Sequence, residues 1–247
     1  MLLRRISKHV NEQNWLAVGI DFVIVVVGVF IGIQVSNWNE NQKAKIDERG
    51  TLLQLAEEFA DIKSGLERQI TAREEWLEDI SVLITALEGP ESPADDPAIR
   101  SALGNATATG RLAPRSATYI QLTASGELTA LSNDELKADL VRYHARLQRD
   151  AFIHTALVGL VIDELSSNAS VDRDMLVSKR AAARIDDLED GKAADENVRS
   201  YNFDGLRKYE NRYEAIYRLH VLLVTGEEDL LVLADRILDS ISRAMRQ

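Results

Sequence analysis

The chain has 247 residues, 45% of them apolar and 28% charged, which excludes wholesale disorder. Its net charge of −11 argues against a nucleic-acid partner, which needs a basic face, and against a domain lying flat on anionic lipid. It has no cysteine, which excludes disulfides, a thiolate nucleophile and a Cys-ligated metal.

Residues 1–14 form a short polar N-terminal segment. Trp15 to Val35 then reads as about 21 nearly unbroken apolar residues, roughly 31 Å as a helix, which matches the hydrocarbon thickness of a bilayer. Residues 22–33 carry no polar side chain, and Trp15 and Trp38 stand at the two ends, where amphipathic rings anchor at the interface. The pattern predicts a membrane helix over 15–36. No small-x-small cleavage site follows it, so the segment reads as an uncleaved anchor. Arg4, Arg5 and Lys8 precede the span with one acid, Glu12, whereas Lys43, Lys45 and Arg49 follow it interleaved with Glu40, Asp47 and Glu48. The positive-inside rule then places residues 1–14 in the cytoplasm and 37–247 outside it.

At 100° per residue Asn14, Asp21 and Gly28 share one line, and Gly32 lies about 20° from Asp21. Gly28 and Gly32 form a Gly-x-x-x-Gly pair that lets a second helix approach closely. One face therefore offers a notch and an ionisable group to another membrane helix. The competing reading is a headgroup-wetted Asp with glycines that are common in membrane helices.

Beyond the anchor, residues 41–88 contain no proline, and apolar residues recur three or four apart at Leu52, Leu55, Phe59, Ile62, Leu66, Ile70, Leu77, Ile80, Ile84 and Leu87. That spacing predicts a long helix, continuous with the anchor, ending at Gly89-Pro90. All four prolines lie between 90 and 114, so residues 89–116 form the irregular region, with a short helix at Pro97–Ala106. Tyr119 to Ala130 predicts a short helix and a turn at Gly126. Asn133 sits in a cap signal opening a helix to about Leu165. A weaker helix is expected over Asp172–Leu188, an acidic loop over 189–202, and a last long helix capped by Asp204 and running to Met245. No sustained period-two alternation is present, so strands are not expected. The fold class is all-α: one N-terminal transmembrane helix followed by an elongated up-down helical bundle spanning 37–247.

The run Gly19-Ile20-Asp21, then Gly28, Gly32 and Gln34, closing with Asn37-Trp38-Asn39-Glu40, resembles the anchor of a bacterial single-pass membrane-protein family that has no established activity. A second patch is also similar: Tyr119 and Leu122, Ser125-Gly126-Glu127-Leu128, and Asn133-Asp134-Glu135-Leu136 to Tyr143. Together the patches cover about a quarter of the chain. Asp21 departs from the Glu more usual in that family. The resemblance implies inner-membrane topology, with the C-terminal domain periplasmic or extracellular, and supplies no chemistry.

Metal and catalytic signatures are missing. None of His9, His144, His154 and His220 has a Glu three residues before it, and no His-x-x-x-His pair exists. The acidic loop at 186–191 has Leu188 where a calcium ligand is needed. No phosphate loop, dinucleotide motif or nucleophile elbow is present. The sequence gives no grounds for a catalytic residue, a metal or a cofactor. Tyr209, Tyr213 and Tyr217 form an i, i+4, i+8 ladder, either a packing stripe or a partner or ligand face. Glu57, Glu58 and Asp61 read as a solvated helix face. The expected function is a membrane-anchored interaction or scaffold protein, held in the lipid bilayer and assembling with itself or another membrane protein. An extracytoplasmic ligand-binding or sensory module acting through a partner is the alternative.

Overall fold

A computed structural model describes residues 15–93, 95–173 and 198–246. Contacts divide the chain into two units, Met1–Thr51 and Leu52–Gln247. The first long helix, α1, spans Trp15–Glu88. No proline interrupts it, and Gly89-Pro90 stops it, with Gly89 donating its N–H to the Ala86 carbonyl at 3.2 Å. Within the first unit the apolar run is uncovered, Phe22 and Phe30 being 69% and 63% exposed. It is the one helix among the described residues long and apolar enough to cross a membrane.

In the second unit the expected elements follow their caps. Asp96 caps helix α2 (Pro97–Asn105) by accepting from the Ala98 N–H, with Pro97 in the first turn. Ser116 caps α3 (Ala117–Ser125), which stops at Gly126 in the left-handed region at φ 78°. A 3-10 turn (Glu127–Ala130) leads to α4 (Asp134–Ser167), whose cap Asn133 accepts from the Glu135 and Leu136 N–H groups. The chain closes with α5 (Phe203–Leu206), a 3-10 turn (Arg207–Tyr209) and α6 (Glu210–Ala244).

Three expectations need correction. A two-stranded antiparallel ribbon is present: β1 (Val171–Arg173) pairs with β2 (Val198–Tyr201), Val171 opposite Tyr201. Strands this short leave no periodic signal to read. The expected helix over Asp172–Leu188 therefore begins inside a strand, and the loop expected over 189–202 ends in one; the remainder of both, with the calcium-like loop, lies outside the described residues. The last long helix is not capped by Asp204. Asn202 caps the short α5 by accepting from the Gly205 N–H, and α6 starts afresh at Glu210 without a side-chain cap.

The buried stripe of α1 also differs from its expected course. Leu52, Leu55, Phe59, Ile62, Leu66, Ile80 and Leu87 are buried as expected, and Arg73, Trp76 and Leu83 complete the buried stripe. Ile70, Leu77 and Ile84 lie on its half-buried flank. The three-four spacing holds from Leu52 to Leu66 and from Arg73 to Leu87, with the half-buried Gln69 and Ile70 in the turn between them; a charged residue occupies one core position, which an apolar-only template skips.

Helices α4 and α6 run antiparallel, tied by Arg243 to Glu135, Arg146 to Asp229 and Arg212 to Glu164. Gly226 makes room for Asp150 between them: a Cβ there would lie 2.5 Å from the Asp150 carboxylate, which is buried and held by Arg146 at 3.1 Å. Gly226→Ala should cost about 1–3 kcal/mol through overpacking. Urea unfolding of the full chain in detergent reads the cost; a variant as stable as the parent would show that the carboxylate yields freely.

Candidate functional site

The apolar interior of the Leu52–Gln247 unit comes in two clusters. One gathers Leu52 to Leu66 of α1 with Leu136 to Leu147 of α4 and Leu230 to Ile241 of α6. The other gathers Ile80 to Leu87 with Leu157, Val161 and Tyr213 to Leu223. Between them, at one level on all three helices, lie polar residues: Gln69 and Arg73 on α1, Asp150 and His154 on α4, His220 and Glu227 on α6.

Arg73, fully buried, is the centre of this layer. Its Nε and Nη2 donate to the two Glu227 carboxylate oxygens at 3.0 and 2.8 Å, a bidentate pair between side chains 0% and 5% exposed. Gln69 also donates to Glu227. The third guanidinium nitrogen, Nη1, lies 2.8 Å from His220 Nδ1. A guanidinium only donates, so Nδ1 accepts and the imidazole is neutral with its proton on Nε2. Burial, and then the facing Arg73 charge, hold the His220 pKa down to about 3, against a weaker upward pull from the Ala108 backbone. Trp76 closes the layer, its ring edge-on to His220 at 5.9 Å. Burial raises the Asp150 pKa, with Arg146 opposing and Glu227 adding to the rise.

The loop at residues 107–111 lies over this layer. Gly110 adopts φ 65°, and a Cβ there would stand 2.8 Å from Arg73 Nη2, so both backbone and space demand glycine. Gln69 donates to the Arg111 carbonyl at 2.5 Å, and His154 Nε2 donates to the Gly110 carbonyl at 3.3 Å. Loop and helix enclose a cavity of about 220 Å³, lined on α1 by Gly65, Arg68, Gln69, Ala72 and Trp76 and on the other side by residues 107–111. The lining is mostly apolar and, among the described residues, carries two arginines and no acid. Among the described residues no hydroxyl or thiol is paired with a base in this layer, and Glu227 accepts from Gln69 as well as from Arg73.

The residues singled out in the sequence fall elsewhere. Asn14 and the side chain of Trp15 lie outside the described residues. Asp21 and Trp38 are exposed on α1, and a Cβ at Gly28 or Gly32 would meet nothing. The tyrosine ladder divides: Tyr213 is buried and donates to Glu164 at 2.6 Å, while Tyr209 is half-buried and donates to the Ser167 carbonyl at 3.2 Å. Tyr217 packs, half-buried, on the second apolar cluster. With its middle member buried, the ladder is a packing stripe. Glu58 departs from the solvated face expected of it, accepting from the hydroxyls of Ser116 and Thr118 at 2.6 and 2.8 Å and so fixing the start of α3. His144 stacks on Tyr119 at 3.8 Å. Carboxylates of Glu88, Glu210 and Glu214 come within 4.8 Å of one another at the surface, and Glu214 is also paired with Arg218.

Sequence reasoning missed the buried layer, although a signal existed. The α6 stripe Tyr213, Ile216, His220, Leu223, Glu227, Leu230, Ala234, Ile237 and Ile241 keeps three-four spacing without a gap only if His220 and Glu227 are counted as core. No family model, curated protein or solved structure matches this chain, so its function is argued from geometry.

Proposed function

We propose that the chain is a single-pass membrane protein that assembles, through the apolar part of α1, with itself or with another membrane protein. The observation that carries this reading is the uncovered run from Ile20 to Val35, none of whose large apolar residues is buried. In water each such side chain forfeits about 1.5–3 kcal/mol relative to burial, so a dozen in succession need lipid or a partner helix around them. The face carrying Asp21, Gly28 and Gly32 supports assembly, because two glycines one turn apart let a second backbone approach and an acid in the span favours a polar or cationic neighbour. The preceding bases Arg4, Arg5 and Lys8 favour a cytoplasmic N-terminus and an exported Leu52–Gln247 unit. The likeness to the bacterial anchor family belongs to the same proposal and bears on topology alone.

Two substitutions test it. Gly28→Leu with Gly32→Leu keeps the helix apolar but fills the notch. In crosslinked native membranes the double variant should still sediment with the membrane and should lose at least about tenfold of the crosslinked species, a loss of some 1.4 kcal/mol. Crosslinking at the parent level would end the assembly reading. Recovery of the chain in the detergent-free supernatant would end the membrane reading.

A further inference from the structure

The cavity beside the buried layer is a second feature that the anchor does not explain. It is walled before any ligand arrives: Gln69 ties the loop through the Arg111 carbonyl, His154 ties it through the Gly110 carbonyl, and Gly110 rests on Arg73. A site held open in this way has little ordering left to lose on binding. Its room comes from small residues two turns apart on α1, Gly65 and Ala72. At about 220 Å³ it exceeds the roughly 150 Å³ that accommodates a benzene ring and falls short of drug-sized pockets.

Charge sets the class of occupant. The chain carries a net −11, yet among the described residues this cavity is bordered by Arg68 and Arg111 and by no carboxylate. The deeper Arg73 is not available to a ligand, because both Glu227 oxygens already hold it. Anion recognition thus falls to the rim, where Arg68 is exposed, while the floor offers the Trp76 ring and the Ala72 methyl. A polyol or a bare phosphate would leave that floor unpaired, and a cation would meet two guanidiniums. We propose that the cavity binds a small organic carboxylate with a compact apolar or aromatic body, the body against Ala72 and Trp76 and the carboxylate at Arg68.

The test uses the full-length chain in nanodiscs of phosphatidylcholine, with empty nanodiscs as the blank, titrated calorimetrically with phenylacetate and with phenylacetamide, its neutral counterpart of similar shape. The cavity lies within the Leu52–Gln247 unit, so the result is independent of what α1 does in the membrane. Phenylacetate should bind at one site, about tenfold more tightly than the amide, the difference expected of one charge-assisted contact. Arg68→Gln should bring phenylacetate down to the affinity of the amide. Ala72→Phe, which fills the cavity, should abolish binding of both while the helical circular dichroism stays that of the parent. Absence of phenylacetate binding up to ~10 mM would overturn the proposal. So would equal affinity for acid and amide, or binding that survives Ala72→Phe. If Ala72→Phe does not fold, Arg68→Gln decides, since its side chain is at the surface.

Discussion

Glu227→Ala should cost the Leu52–Gln247 unit about 3–5 kcal/mol, a large share of the 5–15 kcal/mol that stabilises an ordinary domain. The size follows from what is left behind. Arg73 is wholly buried, and two of its three nitrogens donate to this one carboxylate. Truncation leaves a buried guanidinium that has lost this counter-ion and keeps the His220 Nδ1 and the Trp76 ring at 5.7 Å. Gln69 loses one of its two acceptors as well. The pair need not itself be a large net stabiliser, because two ions had to be desolvated to form it. Replacing both, Arg73→Met with Glu227→Leu, should recover most of the loss, since the two apolar clusters would then join through side chains of similar volume. Urea unfolding of the full chain in detergent micelles, with single and double variants compared in one cycle, measures both effects. If the double variant is as unstable as the single, the cost lies in packing and the charge argument fails.

That expectation suggests why a polar layer persists in a core that an apolar one would suit. Three long helices with regular three-four stripes can slide by a turn and still bury leucine against leucine. A bidentate pair between Arg73 and Glu227, with Asp150 seated against Gly226, is satisfied at one register only. The layer also supplies the floor on which residues 107–111 rest, and so the wall of the cavity.

The same layer explains what could and could not be read from the sequence. Helix ends were legible because each depends on one or two side chains: Asn133 at the start of α4, Ser125-Gly126 at the end of α3, Gly89-Pro90 at the end of α1. The first five core positions of α1 were legible because all are apolar. Beyond Leu66 the apolar spacing still finds the buried Ile80 and Leu87 but strays onto the half-buried flank at Ile70, Leu77 and Ile84, because a charged residue, Arg73, holds a core position. Glu58 looked solvated for the same reason: its partners Ser116 and Thr118 are about 60 residues away across an irregular segment, and no local pattern announces them. The β1–β2 ribbon escaped notice because strands of three and four residues are shorter than any window that detects alternation.

Acidification should destabilise the domain through His220. The group titrates near 6.5 in an unfolded chain and is held to about 3 in the fold. Its folded pKa is depressed, so the stabilisation is fully present above pH 6.5 and is lost as pH falls from there towards 3. Between pH 7 and pH 5 the unfolded chain takes up the proton and the native one does not, which costs about 2 kcal/mol. The groups facing this imidazole set the sign: Arg73 and His154 resist a second positive charge, and no carboxylate contacts the ring. Asp150 works the other way, its raised pKa letting the native state gain a proton first, but that falls towards the carboxylate range. The half-buried His144, depressed mainly by burial, adds to the loss. A comparison with His220→Asn separates these contributions, because asparagine can still accept from Arg73 yet does not titrate. The parent should lose about 2 kcal/mol more than His220→Asn between the two pH values, read as unfolding free energy from urea titrations. Equal losses would mean that His220 takes its proton in the native state, and the Arg73–His220 contact could not then be a donor facing an acceptor.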